Sequence, residues 1–279
     1  MIGLLKIKSN LKRKKIILMN KFEKNLKLIK SDIIKAIYHS KKGHLGGSLS
    51  SADIIYYLFF EKIVETYLSK PTKNTFILSK GHSSAALLSV VNFINKNKFR
   101  KYLKNFNLNN SFSGNNCSEN VPGFEFHTGS LGHGVGLACG VALAKRKSKI
   151  KGNTVVLISD GELHEGSIFE GILFGDQHNL NVTVVIDNNG QICEDYTANV
   201  IRTKKFLNFL KKNFNTLEID GHKLKELRKI NLFIKKQGFK VIIANTIKGS
   251  GIKFMEKVVR WHHSVPNKIE FEKAMEELN

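Results

Sequence analysis

The sequence predicts an α/β fold, a doubly wound and mostly parallel sheet with helices on both faces. Two apolar runs, Thr154–Ile158 and Val182–Ile186, are rich in β-branched residues, as expected of strands buried on both faces. The segment between them is long enough for one crossover helix, which makes a parallel βαβ unit. Each run ends in a polar cluster, 159–162 and 187–190, at the sheet edge where such folds bind ligands.

The other elements continue this pattern along the chain. Apolar residues at helical spacing predict a helix over 24–40, and Ser50 with Asp53 predicts a capping box for a helix reaching Val64. The further predicted strands are Phe76–Leu78, Leu217–Ile219 and Lys240–Thr246. The further predicted helices start at Ser83 or cover Val135–Lys145, 204–214 and 223–237. Residues 103–127 lack periodicity and are interpreted as a long loop that walls a substrate site.

Net charge is the most unusual feature of the composition, at +22 for 279 residues. A basic chain can bind nucleic acid or an anionic membrane. However, the sequence contains no zinc-finger, RNA-recognition or helix-turn-helix pattern, and lysine is abundant throughout. We therefore interpret the charge as lysines on solvated helix faces, which can attract phosphorylated sugars or an acidic partner chain, and we predict binding to neither nucleic acid nor a membrane.

The amino-terminal segment and the cysteines indicate in which compartment the protein is expected. The first 20 residues are basic without the apolar core of a signal peptide, so residues 1–20 are interpreted as an extension and residues 21–279 as one domain. No apolar run approaches the length of a membrane span. Cys117, Cys139 and Cys193 are few, odd in number and lack metal-binding spacing, which predicts a reducing cytoplasm.

The two polar clusters offer oxygen ligands for a hard cation. An Asp carboxylate, an Asn side chain and a backbone carbonyl just beyond it suit Mg²⁺, which completes its shell with phosphate oxygens. The sequence therefore predicts a site for a magnesium diphosphate at the carboxyl ends of the strands.

This arrangement resembles the thiamine diphosphate motif of the transketolase family, with Asp160-Gly161 and Asn189 in the motif positions. Other segments resemble the amino-terminal half of transketolases and occur in the family's order between about residues 40 and 265. These segments are KKGHLGGSLSSADI, SKGHSSA, PGFEFHTGSLGHG, IDGH, TIKGSGI and WHH. The resemblance implies a thiamine diphosphate-binding fold with Mg²⁺ and thiamine diphosphate as cofactors.

The resemblance also implies roles for single residues. His44 and His262 correspond to histidines that handle substrate, and Glu165 corresponds to a glutamate that couples two active sites at a subunit interface. Adjacent His263 leaves open which imidazole of the pair faces the site. The implied metal ligands are Asp160, Asn189 and the backbone carbonyl of Gln191. The other implied cofactor-binding residues are His82, Gly129, Leu131, Gly161 and Glu162.

Three positions depart from the family pattern. Asn115, in Ser113-Gly114-Asn115-Asn116, stands where transketolases usually carry a histidine near the donor hydroxyls. An amide can hydrogen-bond a hydroxyl but takes no proton near neutral pH, so a different donor sugar is expected. His133 replaces the usual Gln, and Ser159 replaces the first Gly of the metal motif. His127 and His133 are expected either to point into the active site or to lie in solvent-facing loops. His39 and His178 are interpreted as helix-surface residues and His222 as a turn or helix-start residue. His164, near the metal motif, is not expected to bind Mg²⁺, which prefers oxygen.

The resemblance places the glutamate that activates the cofactor in a second, pyrimidine-binding domain, which we expect on a separate polypeptide. We therefore predict the amino-terminal subunit of a split transketolase-like enzyme, which transfers a two-carbon ketol unit between a ketose, phosphorylated or free, and an aldose. The expected assembly is a dimer of heterodimers. Three alternatives stay open: the thiamine-binding subunit of a 2-oxo-acid dehydrogenase, a relative of 1-deoxyxylulose-phosphate synthase, and a catalytically silent binding subunit.

Overall fold

A parallel sheet forms the centre of the fold. The computed structural model describes residues 2–65, 73–116, 119–193 and 195–279, with side chains from residue 17 onward, so Cys117 lies outside the described part. The sheet contains β1 (Thr75–Leu78), β2 (Thr154–Ser159), β3 (Val182–Asn188), β6 (Thr216–Asp220) and β7 (Lys240–Asn245). Its strand order is β1-β2-β3-β7-β6, with every neighbouring pair parallel. Two short strands, β4 (Gln191–Ile192) and β5 (Asp195–Tyr196), form a separate antiparallel pair.

Helices cover both faces of this sheet. Alternate residues of β2 point to opposite sides, so Val155 and Leu157 join one apolar core and Val156 and Ile158 join the other. The helices that contribute buried residues to the first core are α1 (Ile2–Ser40), α2 (Leu45–Phe60), α3 (Ser84–Ile94), α4 (Arg100–Lys104), α9 (Leu224–Leu227), α10 (Lys229–Phe233) and α11 (Lys268–Leu278). Those of the second core are α5 (Gly134–Lys147), α6 (Gly166–Gln177) and α8 (Thr203–Asn213). The short α7 (Thr197–Val200) precedes α8. The predicted doubly wound α/β fold is confirmed.

The strand register brings the predicted polar clusters to one edge. Ser159 of β2 pairs with Asp187 of β3, and Asp187 pairs in turn with Ala244 of β7. The carboxyl ends of three adjacent strands therefore meet, and the loops that follow them lie side by side.

The predicted capping box at Ser50 and Asp53 is wrong. Helix α2 begins at Leu45 and ends at Phe60, short of Val64, so both residues lie inside the helix and are buried. The Ser-x-x-Asp spacing also fits two side chains on neighbouring turns of one helix face. Ser50 donates instead to Asp187, and Asp53 pairs with Lys30.

Several helix boundaries also differ from the predictions. The helix predicted over 24–40 is part of α1, which starts at Ile2, so the basic extension continues into the domain as one helix. The helix predicted over 223–237 is divided into α9 and α10. The unpredicted α11 starts with a capping box between Asn267 and Glu270. Within the described residues, no helix combines the length and apolar character that a membrane span requires.

Candidate active site

One cavity of about 400 Å³ lies at the carboxyl edge of the sheet. It is lined by every predicted site residue except Glu162, and these residues come from the ends of β2 and β3, the turn after β1 and four loops. The loop predicted over 103–127 contributes Asn115 and Asn116 to the lining, and its role as a substrate wall stays a prediction. The size and concave shape of the cavity are those of a small-molecule site.

The predicted metal ligands meet at the strand ends. The carboxylate of Asp160 accepts from the backbone N–H of Gly161 at 3.0 Å and of Gly190 at 2.7 Å. The Oδ1 of Asn189 accepts from the Gln191 backbone N–H at 3.1 Å. Asp160, Asn189 and Gln191 all border the cavity, so a carboxylate, an amide oxygen and a carbonyl are available on one wall.

The electrostatics of Asp160 fit a cation at this wall. Burial, followed by the nearby Asp187 carboxylate, raises the pKa of Asp160 to about 7. A bound cation would stabilise the ionised form that this environment disfavours. The described residues contain no cluster of three or more His, Cys, Asp or Glu side chains suited to a metal. A cation at Asp160 would therefore rely on neutral oxygens and on a ligand such as diphosphate, which is the preference of Mg²⁺.

Lys248 is a site residue that the sequence reasoning did not single out, although its motif, TIKGSGI, was recognised. Its Nζ donates to the backbone carbonyl of Gln191 at 3.3 Å and lies 2.7 Å from Nδ1 of His262. Burial, followed by repulsion from Lys80, lowers the pKa of Lys248 to about 8. Burial and Lys248 also lower the pKa of His262 to about 3, so the neutral imidazole accepts the bond. The Lys248 ammonium therefore lies beside the Gln191 carbonyl, which is a predicted metal ligand.

Three imidazoles meet across the cavity. The ring of His44 lies 5.2 Å from that of His82 and 5.3 Å from that of His262, measured between centroids. Burial and then His263 lower the pKa of His44 to about 4, and burial and then Lys80 lower the pKa of His82 well below its usual value. Neutral rings each carry one N–H for an anionic or hydroxyl oxygen. The buried Nδ1 of His44 has no partner within the described chain, which marks it as a site for a ligand.

The structure separates the two adjacent histidines. His262 lines the cavity, whereas His263 is exposed and its ring lies 4.1 Å from that of His44. Of these two histidines, His262 is therefore the one on the cavity wall.

A buried ion pair supports the cavity floor. The ammonium of Lys80 contacts the carboxylate of Asp187 and donates to the Gly47 carbonyl at 3.2 Å, with both charged side chains fully buried. The same carboxylate accepts from the hydroxyls of Ser50 and Thr246. Burial alone would raise the pKa of Asp187, but Lys80 and the hydroxyls hold it below its usual value. Because the carboxylate has a donor on each oxygen, the pair ties β1, α2, β3 and the loop after β7 together.

Glu162 lies behind the cavity wall. Its buried carboxylate accepts from the Ser79 hydroxyl at 2.5 Å and from the backbone N–H groups of Gly132 and Ser159 at 3.1 and 2.9 Å. These contacts join the ends of β1 and β2 to the Gly-rich turn that carries Gly129 and Leu131. The carboxylate therefore positions the wall, and direct cofactor contact by Glu162 stays a prediction.

The other predicted residues lie at the cavity rim or outside it. Exposed Glu165 lines the cavity and is the N-cap of α6. The Nε2 of His164 lies 2.8 Å from the Thr203 hydroxyl. His127 and His133 are exposed and do not line the cavity. His222 lies in the turn before α9, as interpreted, and is half-buried beside Asp53.

Comparisons with known proteins identify the family of the chain. Residues 21–274 match the family model of the transketolase thiamine diphosphate-binding domain. The chain is 33% identical over 269 residues to one subunit of the apulose-4-phosphate transketolase of Phocaeicola vulgatus, covering 92% of each chain. It is 30% identical over 232 residues to a 6-deoxy-6-sulfo-D-fructose transketolase subunit of Clostridium sp., covering 79% of this chain and 82% of the relative.

A solved transketolase from Campylobacter jejuni superimposes with a TM-score of 0.83 at 25% identity, over 92% of this chain but only 42% of that one. The chain thus matches relatives called subunits over most of their length and a longer transketolase chain over less than half. The predicted kinship with transketolases, and with the amino-terminal subunits of split enzymes, is confirmed. The chain belongs to the transketolase family, as a member of its thiamine diphosphate-binding domain.

Proposed function

We propose that this chain is the amino-terminal subunit of a split transketolase that binds the diphosphate end of thiamine diphosphate through Mg²⁺. The observation that carries the proposal is the meeting of Asp160, Asn189 and the Gln191 carbonyl with Lys248 and three neutral imidazoles in one cavity. Oxygen ligands on one side suit the metal, and N–H donors on the other suit the diphosphate that bridges to it.

Each residue has a distinct task in this proposal. Asp160, Asn189 and Gln191 hold Mg²⁺, while Lys248 and His82 donate to diphosphate oxygens. When bound, thiamine diphosphate supplies the carbanion chemistry that breaks a carbon–carbon bond beside a ketone. His44, neutral near pH 7, accepts or returns a proton at a sugar hydroxyl, and its unpartnered buried Nδ1 supports this role.

Exposed Glu165 lines the cavity at the start of α6, and we place the partner subunit on this side. Helix α6, which begins directly after Glu165, packs its exposed Phe169 against rings of α8: Phe169 lies 5.8 Å from the half-buried Phe206 and 5.9 Å from the exposed Phe209 between ring centroids. Leu173 and Phe174 extend this apolar patch, with exposures of 44% and 43%. A chain that covers the patch also reaches the cavity mouth. Exposed apolar patches of this kind are typical of interfaces.

The surface charge of this chain predicts the surface charge of its partner. Exposed lysines of α8 border the apolar patch, and the chain as a whole carries +22 charges, so an acidic rim on the partner would complement it. We identify this partner as the pyrimidine-binding transketolase subunit, in a dimer of heterodimers. A cytoplasmic enzyme is consistent with the free thiols of Cys139 and Cys193.

The sugar end of the cavity differs from its diphosphate end. Asn115 is hydrogen-bonded to His44, and its backbone N–H donates to the Asn107 side chain at 2.9 Å. The two relatives described above are called transketolase subunits for different sugars, so neither sugar transfers to this chain. We propose a ketose or ketose phosphate as donor and an aldose as acceptor, with Asn115 contacting donor hydroxyls.

Reconstitution tests the proposal. The full chain is purified, shown by mass spectrometry to be free of other polypeptides, and assayed for ketol transfer with thiamine diphosphate, Mg²⁺ and a panel of ketoses and ketose phosphates. Turnover is expected only after the pyrimidine-binding subunit is added. Turnover at the full rate without that subunit would contradict the split-enzyme assignment, and a stable complex that binds the cofactor yet transfers no ketol unit would contradict the transferase assignment.

A further inference from the structure

A buried charged cluster lies beside the active-site cavity but outside its lining. Asp53, in the middle of α2, pairs with Lys30 of α1 at 2.8 Å and with Nδ1 of His222 at 3.2 Å. The Ser250 hydroxyl completes the cluster, at 3.4 Å from the Lys30 ammonium and 3.3 Å from the same His222 nitrogen. The cluster joins α1, α2 and the loops that follow β6 and β7.

The hydrogen bonds fix the tautomer of His222. Its Nε2 accepts from the backbone N–H of Ile247 at 2.8 Å, so this nitrogen carries no proton. The proton of a neutral ring then lies on Nδ1, where it points at the Asp53 carboxylate. Because the carboxylate can accept a hydrogen bond from this N–H, Asp53 holds the imidazole in the orientation that the Ile247 bond requires.

The bond to Ile247 reaches the cavity within one residue. Lys248 follows Ile247 directly, and its ammonium borders the cavity between Gln191 and His262. The next residue, Gly249, has a φ of +81° and donates to the Gly46 carbonyl at 3.1 Å, so the loop is fixed on both sides of the lysine. A long lysine side chain is placed accurately only when its own backbone is fixed, since its rotamer freedom is large.

We propose that Asp53 and His222 are a positioning pair that aims the Lys248 ammonium at the diphosphate of the cofactor. This inference rests on the proposed function, because it takes the diphosphate to be the ligand of Lys248. Neither residue of the pair contacts the cavity. Their effect on cofactor affinity therefore passes through the loop after β7 and disappears when Lys248 has no charge to place.

A double-mutant cycle tests the proposal on the full chain. The affinity for thiamine diphosphate in the presence of Mg²⁺ is measured by calorimetry for the unmodified chain, His222→Leu, Lys248→Met and the double variant. His222→Leu is expected to weaken binding about tenfold when Lys248 is present, as loss of an outer-shell partner does, and less than about twofold when Lys248 is Met. Equal losses in both backgrounds would overturn the proposal, since that is the result of general destabilisation.

Two amide variants keep the test decisive if His222→Leu does not fold. The amide of His222→Gln can reach the Nε2 position and accept from Ile247, whereas the amide of His222→Asn reaches only the Nδ1 position. Affinity close to that of the unmodified chain is expected for Gln and about a tenfold loss for Asn, and equal affinities would overturn the proposal. His39→Leu, at an exposed position on α1, is the control for loss of an imidazole. Failure of the unmodified chain to bind the cofactor even with the pyrimidine-binding subunit present would overturn the proposed function together with this inference, whereas binding with equal losses overturns the inference alone.

Discussion

The two edges of the sheet each bury two lysines, but they partner them differently. At the amino edge, Lys145 donates to the carbonyls of Lys73 and Asn153 and to the hydroxyls of Thr75 and Thr154. At the same edge, Lys240 donates to the carbonyls of Lys236 and Gly238 and to the Asn181 side chain, at 2.6–2.8 Å. Each of these ammonium groups is surrounded by oxygens of its own chain.

At the carboxyl edge, the two buried lysines have different kinds of partner. Lys80 is neutralised by Asp187, but Lys248 is shared between one carbonyl and one neutral imidazole and borders the cavity. An ammonium has three N–H donors, and among the described residues Lys248 has two acceptors, the Gln191 carbonyl and the His262 ring. Its third N–H can therefore bind an anion. A buried lysine is therefore not a functional signal by itself. A buried lysine that can bind an anionic ligand differs from a structural one in that the chain does not supply acceptors for all of its N–H groups.

The largest expected effect at the carboxyl edge follows from Asp160→Ala. This change removes the one carboxylate among the proposed metal ligands, so Mg²⁺-dependent binding of thiamine diphosphate should fall by about a hundredfold or more. Calorimetric titration with and without Mg²⁺ measures the effect. The matched Asp195→Ala, in the short antiparallel hairpin after the site, should bind as the unmodified chain does. Unchanged affinity in Asp160→Ala would refute the metal assignment.

Paired lysine substitutions test the comparison between the edges. Lys248→Met should weaken cofactor binding by about tenfold to a hundredfold, the range of a lost charge-assisted hydrogen bond, with the free energy of unfolding little changed. Lys145→Met should lower the free energy of unfolding by about 1–3 kcal/mol, because it leaves buried carbonyl and hydroxyl oxygens without a hydrogen-bond donor. It should leave cofactor affinity unchanged. Urea unfolding and calorimetry on both variants separate the effects. The comparison fails if both variants lose the same property.

The pH dependence of stability sharpens the account of the amino edge. Burial lowers the pKa of Lys240 to about 8, so above this pH the folded chain releases a proton that the unfolded chain retains up to about pH 10.5. The free energy of unfolding should therefore rise with pH between about 8 and 10.5, relative to Lys240→Met, by on the order of 1 kcal/mol. Urea titrations at several pH values measure this difference. Lys253→Met, at an exposed position, serves as control, and a flat difference would contradict the account.

The smallest expected effect concerns the sugar end of the cavity. Asn115→His restores an imidazole beside His44, so the donor preference of the reconstituted enzyme should shift toward common ketose phosphates by a fewfold in kcat/KM. Asn110→His, in the same loop but outside the cavity, is the control. A donor profile that stays the same in an active Asn115→His enzyme would place the sugar elsewhere.

The sequence predicted the strand-end half of the site well. Asp160 and Asn189 follow strands whose apolar runs were readable, and parallel strands necessarily bring their carboxyl ends together. The loops could not be predicted to the same depth. The backbone beside Lys248 is bonded to His222, which in turn contacts Asp53, and both residues are distant from Lys248 in sequence.

Buried charge was the main source of error. Lysines were interpreted as solvated, whereas Lys80, Lys145, Lys240 and Lys248 are all buried. Likewise, Asp53 has the spacing of a capping residue but lies inside a helix because Lys30 and His222 offset the cost of burying its charge. Such partners come from other elements, and a pattern along one segment contains no information about them.

Anomalous diffraction tests the central claim most directly. Crystals of the full chain grown with thiamine diphosphate and Mn²⁺, which replaces Mg²⁺ and scatters anomalously, would locate the metal. We expect one strong peak within coordination distance of the Asp160 carboxylate, the Asn189 side chain and the Gln191 carbonyl, with diphosphate density extending toward Lys248 and His82. A cofactor bound with its metal away from these three residues, or at the amino edge beside Lys145 and Lys240, would contradict it.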